Sequence, residues 1–324
     1  MKRDGILAAY LDFAPREESF REVALAGLTG SRKSIPCRFL YDQRGSELFE
    51  AICDLPEYYV TRTETALLAE RADEIAQAIG PHARLIEFGS GASTKVRLLL
   101  DALRAPAAYL PIDISGEMLH QAASAVAADF PDLEVIAICA DYMDPRRLPA
   151  LVSRGTGRKV GFFPGSTIGN LTPEEAVFFL KGCRMLLGPG GGMIVGADLK
   201  KDPALLHAAY NDSAGVTAEF TLNLLARMNR ELDADFNRTR FAHEAFYNPV
   251  AGRVEIFIRS LMDQIVTVAG RRIAFTAGER IHIEYSYKFT VAEFQLLAKR
   301  AGFGAPRAWT DADKMFGIHY LTVP

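Results

Sequence analysis

The chain has 324 residues, 49% of them hydrophobic and 24% charged, with 37 Lys and Arg against 40 Asp and Glu. These proportions exclude a disordered or low-complexity chain, and a net charge of -3 leaves no cationic excess to hold nucleic acid or an anionic membrane. Four scattered cysteines, Cys37, Cys53, Cys139 and Cys183, with no C-x-x-C pair, signal neither a disulfide framework nor a metal site. Reduced thiols fit a cytoplasmic protein, and no stretch reads as a signal peptide or a membrane span. The length predicts about two domains.

Residues 1 to 30 carry scattered apolar positions and are expected to be helical, followed by an irregular stretch through Tyr59. Leu67, Leu68, Ala72, Ile75, Ala76 and Ile79 fall on one face of a helix that Gly80-Pro81 ends. Apolar runs and helical periods then alternate: strand 84–88, helix 93–103, strand 107–112, helix 115–128, strands 133–137 and 159–163, helix 173–187 and strand 192–196. That alternation predicts a parallel sheet covered on both faces. Residues 202–236 read as a long helical region, and 253–261, 264–268, 271–275 and 280–289 as strands. A helix over 290–300 with Thr290 as its cap and two further strands complete the chain. No Gly/Ser linker is present. The amino-terminal sixty residues and the insertion near 200–285 are therefore expected to build one domain together.

Glu87-Phe88-Gly89-Ser90-Gly91 follows the first strand of the alternation. Glycines there permit a sharp turn and close approach of a ligand. With Thr94 at the third glycine position and Lys95 out of place for a phosphate loop, the pattern falls short of a dinucleotide or Walker fingerprint. Asp113 ends the next strand, where a carboxylate can accept both hydroxyls of a ribose. Asp141-Tyr142 ends the one after and can receive an adenine. A nucleoside cofactor lacking a pyrophosphate is expected, S-adenosylmethionine before NAD.

The loop Phe163-Pro164-Gly165-Ser166-Thr167-Ile168-Gly169-Asn170 also follows a strand, where open α/β sheets bind ligands. Asn170 can accept from an ammonium and donate to a carboxylate, or can serve as a turn residue beside Gly169. In His282-Ile283-Glu284-Tyr285-Ser286-Tyr287-Lys288, strict alternation sends His282, Glu284 and Ser286 to one face. That face is either solvated or a pocket. Tyr41, Tyr58 and Tyr210 are further candidates, although a single tyrosine is more often a core residue.

Taken together, Leu55-Pro56-Glu57-Tyr58-Tyr59-Val60-Thr61-Arg62, the run from Gly165 to Pro173, Ala209-Tyr210-Asn211-Asp212, Gly215-Val216-Thr217-Ala218, Asn229-Arg230-Glu231-Leu232 and Lys288-Phe289 resemble the ergothioneine-pathway histidine Nα-methyltransferases along nearly the whole chain. The resemblance implies an α/β protein with a Rossmann-like class I methyltransferase core, 61–200 and 286–324, and an α+β substrate-binding domain, 1–60 and 201–285. It implies S-adenosylmethionine as cofactor and a small-molecule substrate, L-histidine, trimethylated to hercynine by a cytoplasmic monomer.

By the same resemblance Gly89, Lys95, Asp113, Asp141 and Tyr142 contact the cofactor, while Tyr58, Asn170 and Tyr210 hold the amino acid. Glu284 and Ser286 meet the imidazole, and Tyr41 and Gly165 lie near the amine. Tyr41 and Asn170 are the expected catalytic residues, orienting the amine for an in-line transfer. One position departs from the family pattern: Ile256 stands where a methionine lines the ring, a stiffer side chain of similar volume. That departure keeps open another, aromatic amino acid as substrate, and the fold alone leaves open a non-catalytic ligand-binding relative.

Overall fold

The computed structural model describes residues 6–13, 20–91, 94–143, 148, 152 and 155–324. In chain order its elements are β1 (Ala9–Asp12), α1 (Phe20–Thr29), α2 (Gln43–Cys53), α3 (Tyr59–Ile79), β2 (Arg84–Phe88), α4 (Thr94–Ala102), β3 (Ala108–Asp113), α5 (Gly116–Asp129), β4 (Glu134–Cys139), β5 (Lys159–Phe163), α6 (Pro173–Leu187) and β6 (Gly192–Asp198). Then follow α7 (Pro203–Tyr210), α8 (Val216–Glu231), β7 (Phe241–Asn248), β8 (Arg253–Ser260), β9 (Gln264–Val268), β10 (Arg271–Phe275), β11 (Arg280–Tyr287), α9 (Val291–Arg300), β12 (Gly304–Thr310) and β13 (Phe316–Thr322). They fall into two compact units, Met1–Arg16 with Thr63–Leu199 and Phe289–Pro324, and Glu17–Arg62 with Lys200–Lys288.

The first unit is a doubly wound sheet in the order β1-β4-β3-β2-β5-β6-β13-β12. Strands β1 to β6 pair in parallel, and β13 runs antiparallel between β6 and β12. The chain winds outward from β2 to β3 and β4, then returns to the other side of β2 with β5. The reversal opens a crevice beyond the carboxyl ends of β2 and β5, where such sheets bind ligands. Strands β2 and β6 are buried along their whole length, which is why they read as continuous apolar runs. Helix α6 starts sharply because Thr172 and Glu175 form a reciprocal capping box ahead of Pro173, and Thr290 with Glu293 does the same for α9.

The amino terminus departs from expectation. Ala9–Asp12 is an edge strand of this sheet, register-paired from Ala9 with Ile136 to Asp12 with Cys139, in place of the predicted helix. It therefore belongs to the first unit, although the sequence reading grouped residues 1–60 with the second.

The second unit combines α1, α2, α7 and α8 with a three-stranded antiparallel sheet, β11-β8-β7, and the hairpin β9–β10. The expected helical region over 202–236 is two helices. Asp212 breaks it by turning its carboxylate onto the N–H groups of Val216 and Thr217, both at 2.8 Å, and Gly215 enters α8 at φ 73°. Asn229 closes the far end, bonding both the N–H and the carbonyl of Phe236 at 2.8 Å. Three of the motifs that carry the resemblance thus supply helix punctuation.

Candidate active site

In the first unit the expected cofactor residues gather at the carboxyl edge of the sheet. Gly89 ends β2 at φ 75°, and a Cβ there would stand 3.2 Å from the Tyr142 hydroxyl. The left-handed backbone favours glycine, and a Cβ would also crowd the ring across from it. Asp113 ends β3, accepting from the N–H of Ser115 at 3.0 Å and more distantly from that of Gly91 at 3.5 Å. Burial raises its pKa, and these N–H groups work against the rise. Asp141, past β4, is fixed by the N–H of Met143 at 2.8 Å. Tyr142 lies edge-on to Phe163 and Phe179 at 6.1 and 6.5 Å. Behind them, burial pushes Glu87 up to about 8 while the Tyr109 hydroxyl donates to it. A glycine turn, two anchored carboxylates at adjacent strand ends and an aromatic ring fit a nucleoside cofactor.

The loop after β5 is held by a residue that the sequence reading missed. Gly165 and Ser166 are both left-handed, at φ 79° and 57°, a conformation that costs a serine roughly 1 kcal/mol or more. Three contacts enforce it. Ser166 Oγ accepts from the N–H of Asp198 at 2.9 Å, the Thr167 hydroxyl donates to the Pro164 carbonyl at 2.9 Å, and the Glu64 carboxylate accepts the N–H of Gly165, 2.9 Å from each oxygen. Asn170 ends the short 3-10 turn that follows and is half-buried. Glu64 is only 1% exposed and also pairs with Lys95, so one carboxylate fixes both that lysine and the loop of Gly165. The signal was present: Glu64 interrupts the apolar stripe of Val60, Leu67 and Leu68 on α3, and an acid on a buried face calls for a partner.

The second unit carries the residues expected to meet the amino acid. Tyr41 precedes α2, whose cap Asp42 accepts from Gly45 N–H at 2.8 Å, Asn223 at 2.7 Å and Arg230 at 2.6 Å. Burial alone would raise the Asp42 pKa, but these donors outweigh it and hold the carboxyl below its usual range. The Tyr41 ring meets Phe49 and Phe220 edge-on, both at 5.5 Å, and Phe49, Tyr58 and Tyr210 continue the wall at 6.4 and 6.3 Å. Tyr58 is placed by its neighbours in the motif. Arg62 donates to the carbonyls of Leu55 and Pro56 at 2.8 Å, and Glu57 accepts from the Ser213 hydroxyl at 2.8 Å. Burial, with the nearby Tyr210 phenol, keeps Tyr58 far above ordinary tyrosine values.

Strand β11 corrects the strict alternation. Its register with β8 shifts between His282 and Glu284, so that His282 faces Phe257, Glu284 faces Ile256 and Ser286 faces Val254. The extra residue sends His282 to the opposite face from Glu284 and Ser286, where its ring lies tilted against that of Tyr285, centroids 4.0 Å apart. Glu284 and Ser286 stay together on the inner face beside Ile256, itself 5% exposed. Burial lifts Glu284 to about 7, opposed by the charge of Lys288. Among the described residues no group of His, Cys, Asp and Glu could hold a metal ion.

Ser286 Oγ lies 2.8 Å from Tyr210 Oη, and Lys288 Nζ donates to Tyr210 Oη at 2.8 Å and to Ser286 Oγ at 2.9 Å. Lys288 is 2% exposed, and in the sequence it stands out only as part of the Lys288-Phe289 motif. His243 anchors Tyr210 from behind, its Nε2 donating to the Tyr210 carbonyl at 2.9 Å while Nδ1 meets Thr221 Oγ1 at 3.0 Å. Burial lowers the His243 pKa and keeps the ring neutral.

A doubly wound sheet with an antiparallel strand inserted next to its last, and a glycine turn followed by carboxylates at successive strand ends, define a Rossmann-like class I methyltransferase that uses S-adenosylmethionine. The chain belongs to the family described as histidine-specific methyltransferase, SAM-dependent, which matches residues 20–323. It is 40% identical over 318 residues to the histidine N-alpha-methyltransferase of Mycolicibacterium smegmatis, covering 96% of this chain and 97% of that protein. With ergothioneine biosynthesis protein 1 of Neurospora crassa it shares 34% identity over 298 residues, which is 89% of this chain and 33% of that longer protein. Among solved structures, an S-adenosylmethionine-dependent methyltransferase from Clostridium acetobutylicum aligns over 86% of this chain and 98% of its own at 10% identity and a TM-score of 0.46. No helix among the described residues is long and apolar enough to cross a membrane.

Proposed function

We propose that this enzyme methylates the α-amino nitrogen of L-histidine three times, giving Nα,Nα,Nα-trimethylhistidine, a step of ergothioneine formation. The observation that carries the reading is the inner face of β11. A buried carboxyl that titrates near neutrality, Glu284, stands on it beside a lysine-held pair of hydroxyls, Tyr210 and Ser286. A neutral imidazole offers one N–H and one bare nitrogen, and such a face can serve both. The relatives named for histidine methylation align along almost the entire chain, which supports the same substrate.

S-adenosylmethionine supplies an electrophilic methyl group, and Gly89, Lys95, Asp113, Asp141 and Tyr142 are the residues that would hold it. The protein's task is then positional: the amine must be neutral, in line and within contact when it reacts. We assign Tyr41, Asn170 and Gly165 to the amine, the first two to orient it, and Tyr58, Asn170 and Tyr210 to the amino acid, and each proton released goes to solvent. Aromatic faces such as Tyr41 and Tyr58 suit a nitrogen that ends as a quaternary cation. The near-neutral charge and the lack of any disulfide among the described residues support a cytoplasmic enzyme acting on a free amino acid rather than on nucleic acid, and we take it to be a monomer.

Incubation with S-adenosylmethionine and histidine, read by mass spectrometry, should yield mono-, di- and trimethylated product. Unmodified histidine would refute the reading. Ile256, opposite Glu284 in the register, favours one alternative, another aromatic amino acid. Equimolar histidine, tryptophan and tyrosine in one reaction decide between them.

A further inference from the structure

Lys288 is a buried cation that the methyl-transfer reading above leaves without a task. It closes a triangle of three polar atoms, Lys288 Nζ, Tyr210 Oη and Ser286 Oγ, with sides of 2.8, 2.9 and 2.8 Å. Its ammonium also lies 4.9 Å from the centroid of the Tyr210 ring.

Donor counting fixes what this triangle can offer. An ammonium only donates, whereas each hydroxyl has one proton and two lone pairs. Lys288 therefore takes one lone pair from each hydroxyl, and the contact between the hydroxyls takes one proton and one further lone pair. The phenol is the stronger acid and donates, so Tyr210 keeps one lone pair while Ser286, with both lone pairs filled, presents only its proton. A fixed positive charge stands behind it, which attracts an incoming lone pair and repels an incoming N–H. Glu284, two residues from Ser286 on the same strand face, has the opposite character. Ionised, it can only accept.

We propose that Lys288 is a positioning residue that commits the Ser286 hydroxyl to donating, so that the site admits a side chain presenting a lone pair to Ser286 and an N–H to Glu284. A neutral imidazole meets both demands. An imidazolium, with two N–H groups, fails the first, and a phenyl ring fails both. This rests on the reading that Glu284 and Ser286 meet the substrate ring. Without Lys288 the two hydroxyls can satisfy one another and turn lone pairs outward, so the discrimination is lost although both remain in place.

The test is steady-state kinetics on Lys288→Met and Lys288→Arg, each also placed in a Ser286→Ala background, with S-adenosylmethionine binding by calorimetry as the check on folding. Loss of a charged hydrogen bond predicts a rise of about tenfold or more in KM for histidine with Lys288→Met, with kcat changed far less. Lys288→Arg should recover most of it. In the Ser286→Ala background Lys288→Met should add less than about twofold, because its route to the ring is already cut. An unchanged KM for Lys288→Met, or the same tenfold rise in both backgrounds, overturns the proposal. If Ser286→Ala and Glu284→Gln alone leave KM unchanged, the ring-site reading itself falls, and this proposal with it. Should Lys288→Met fail to bind S-adenosylmethionine, Lys288→Gln takes its place with the same expected pattern and the same refutations.

Discussion

Replacing Glu64 with alanine removes a carboxylate that holds two parts of the first unit at once. Lys95 loses its partner and the N–H of Gly165 loses its acceptor. Breaking a fully buried pair costs about 3–5 kcal/mol. Lys95 retains 18% exposure, and water can reach it, so about 2–3 kcal/mol is the fitting share. An orphaned buried N–H adds about 1 kcal/mol. At about 2–4 °C per kcal/mol for a unit of this size, the sum of roughly 3–4 kcal/mol predicts a melting temperature lower by about 10 °C. S-adenosylmethionine affinity should fall about tenfold as Lys95 loses its fixed position. Glu64→Gln keeps an acceptor for Gly165 but not the charge, and should fall between. Differential scanning calorimetry and titration calorimetry read the two effects. A Glu64→Ala protein that melts within about 2 °C of the parent and binds S-adenosylmethionine equally well would refute this account of the loop.

Three further outcomes are expected. Glu284→Gln should raise the histidine KM by about 10- to 100-fold through loss of a charged acceptor. Because Glu284 titrates near 7, the parent KM should also climb as pH falls through 7 and the variant's should not follow that step. His319 is wholly buried against Phe294, with neither ring nitrogen bonded among the described residues, and burial lowers it to about 4. The unfolded chain binds that proton first. Its contribution is therefore intact above about 6.5 and is lost as pH falls toward 4, up to about 3 kcal/mol. Urea titrations of parent and His319→Leu at pH 7 and 5 should show the smaller decline in the variant. Tyr41→Phe and Asn170→Ala should each lower kcat more than S-adenosylmethionine affinity. Full turnover in both would remove them from the catalytic assignment.

The sheet was legible because its strands are buried on both faces and separated by clear helical periods. Strands β2 and β5 and helix α6 match the expected spans residue for residue. Other features escaped for physical reasons. Ala9–Asp12 is only four residues long and gains its identity from pairing with β4, which no local pattern encodes. Helix α2 hides behind Asp42-Gln43-Arg44-Gly45, residues that read as a turn but supply its cap. The bulge in β11 could not be seen, because a single inserted residue inverts the face of everything before it without altering composition. Gly89, Asp113 and Asp141 followed from strand ends. Glu64 and Lys288 required knowing which polar atoms they meet.

The division of the chain also governs the order in which it can fold. Each unit is built from separated segments: the second needs Lys200–Lys288 to complete what Glu17–Arg62 begins, and the first needs Phe289–Pro324. Strand β13, more than a hundred residues after β6, must enter between β6 and β12. A nascent chain thus carries β6 with an unpaired edge for more than a hundred residues of synthesis. Such an exposed edge invites association with other chains. Slow-growing or crowded expression should therefore challenge this protein through its unfinished sheet rather than through any weakness of the finished one.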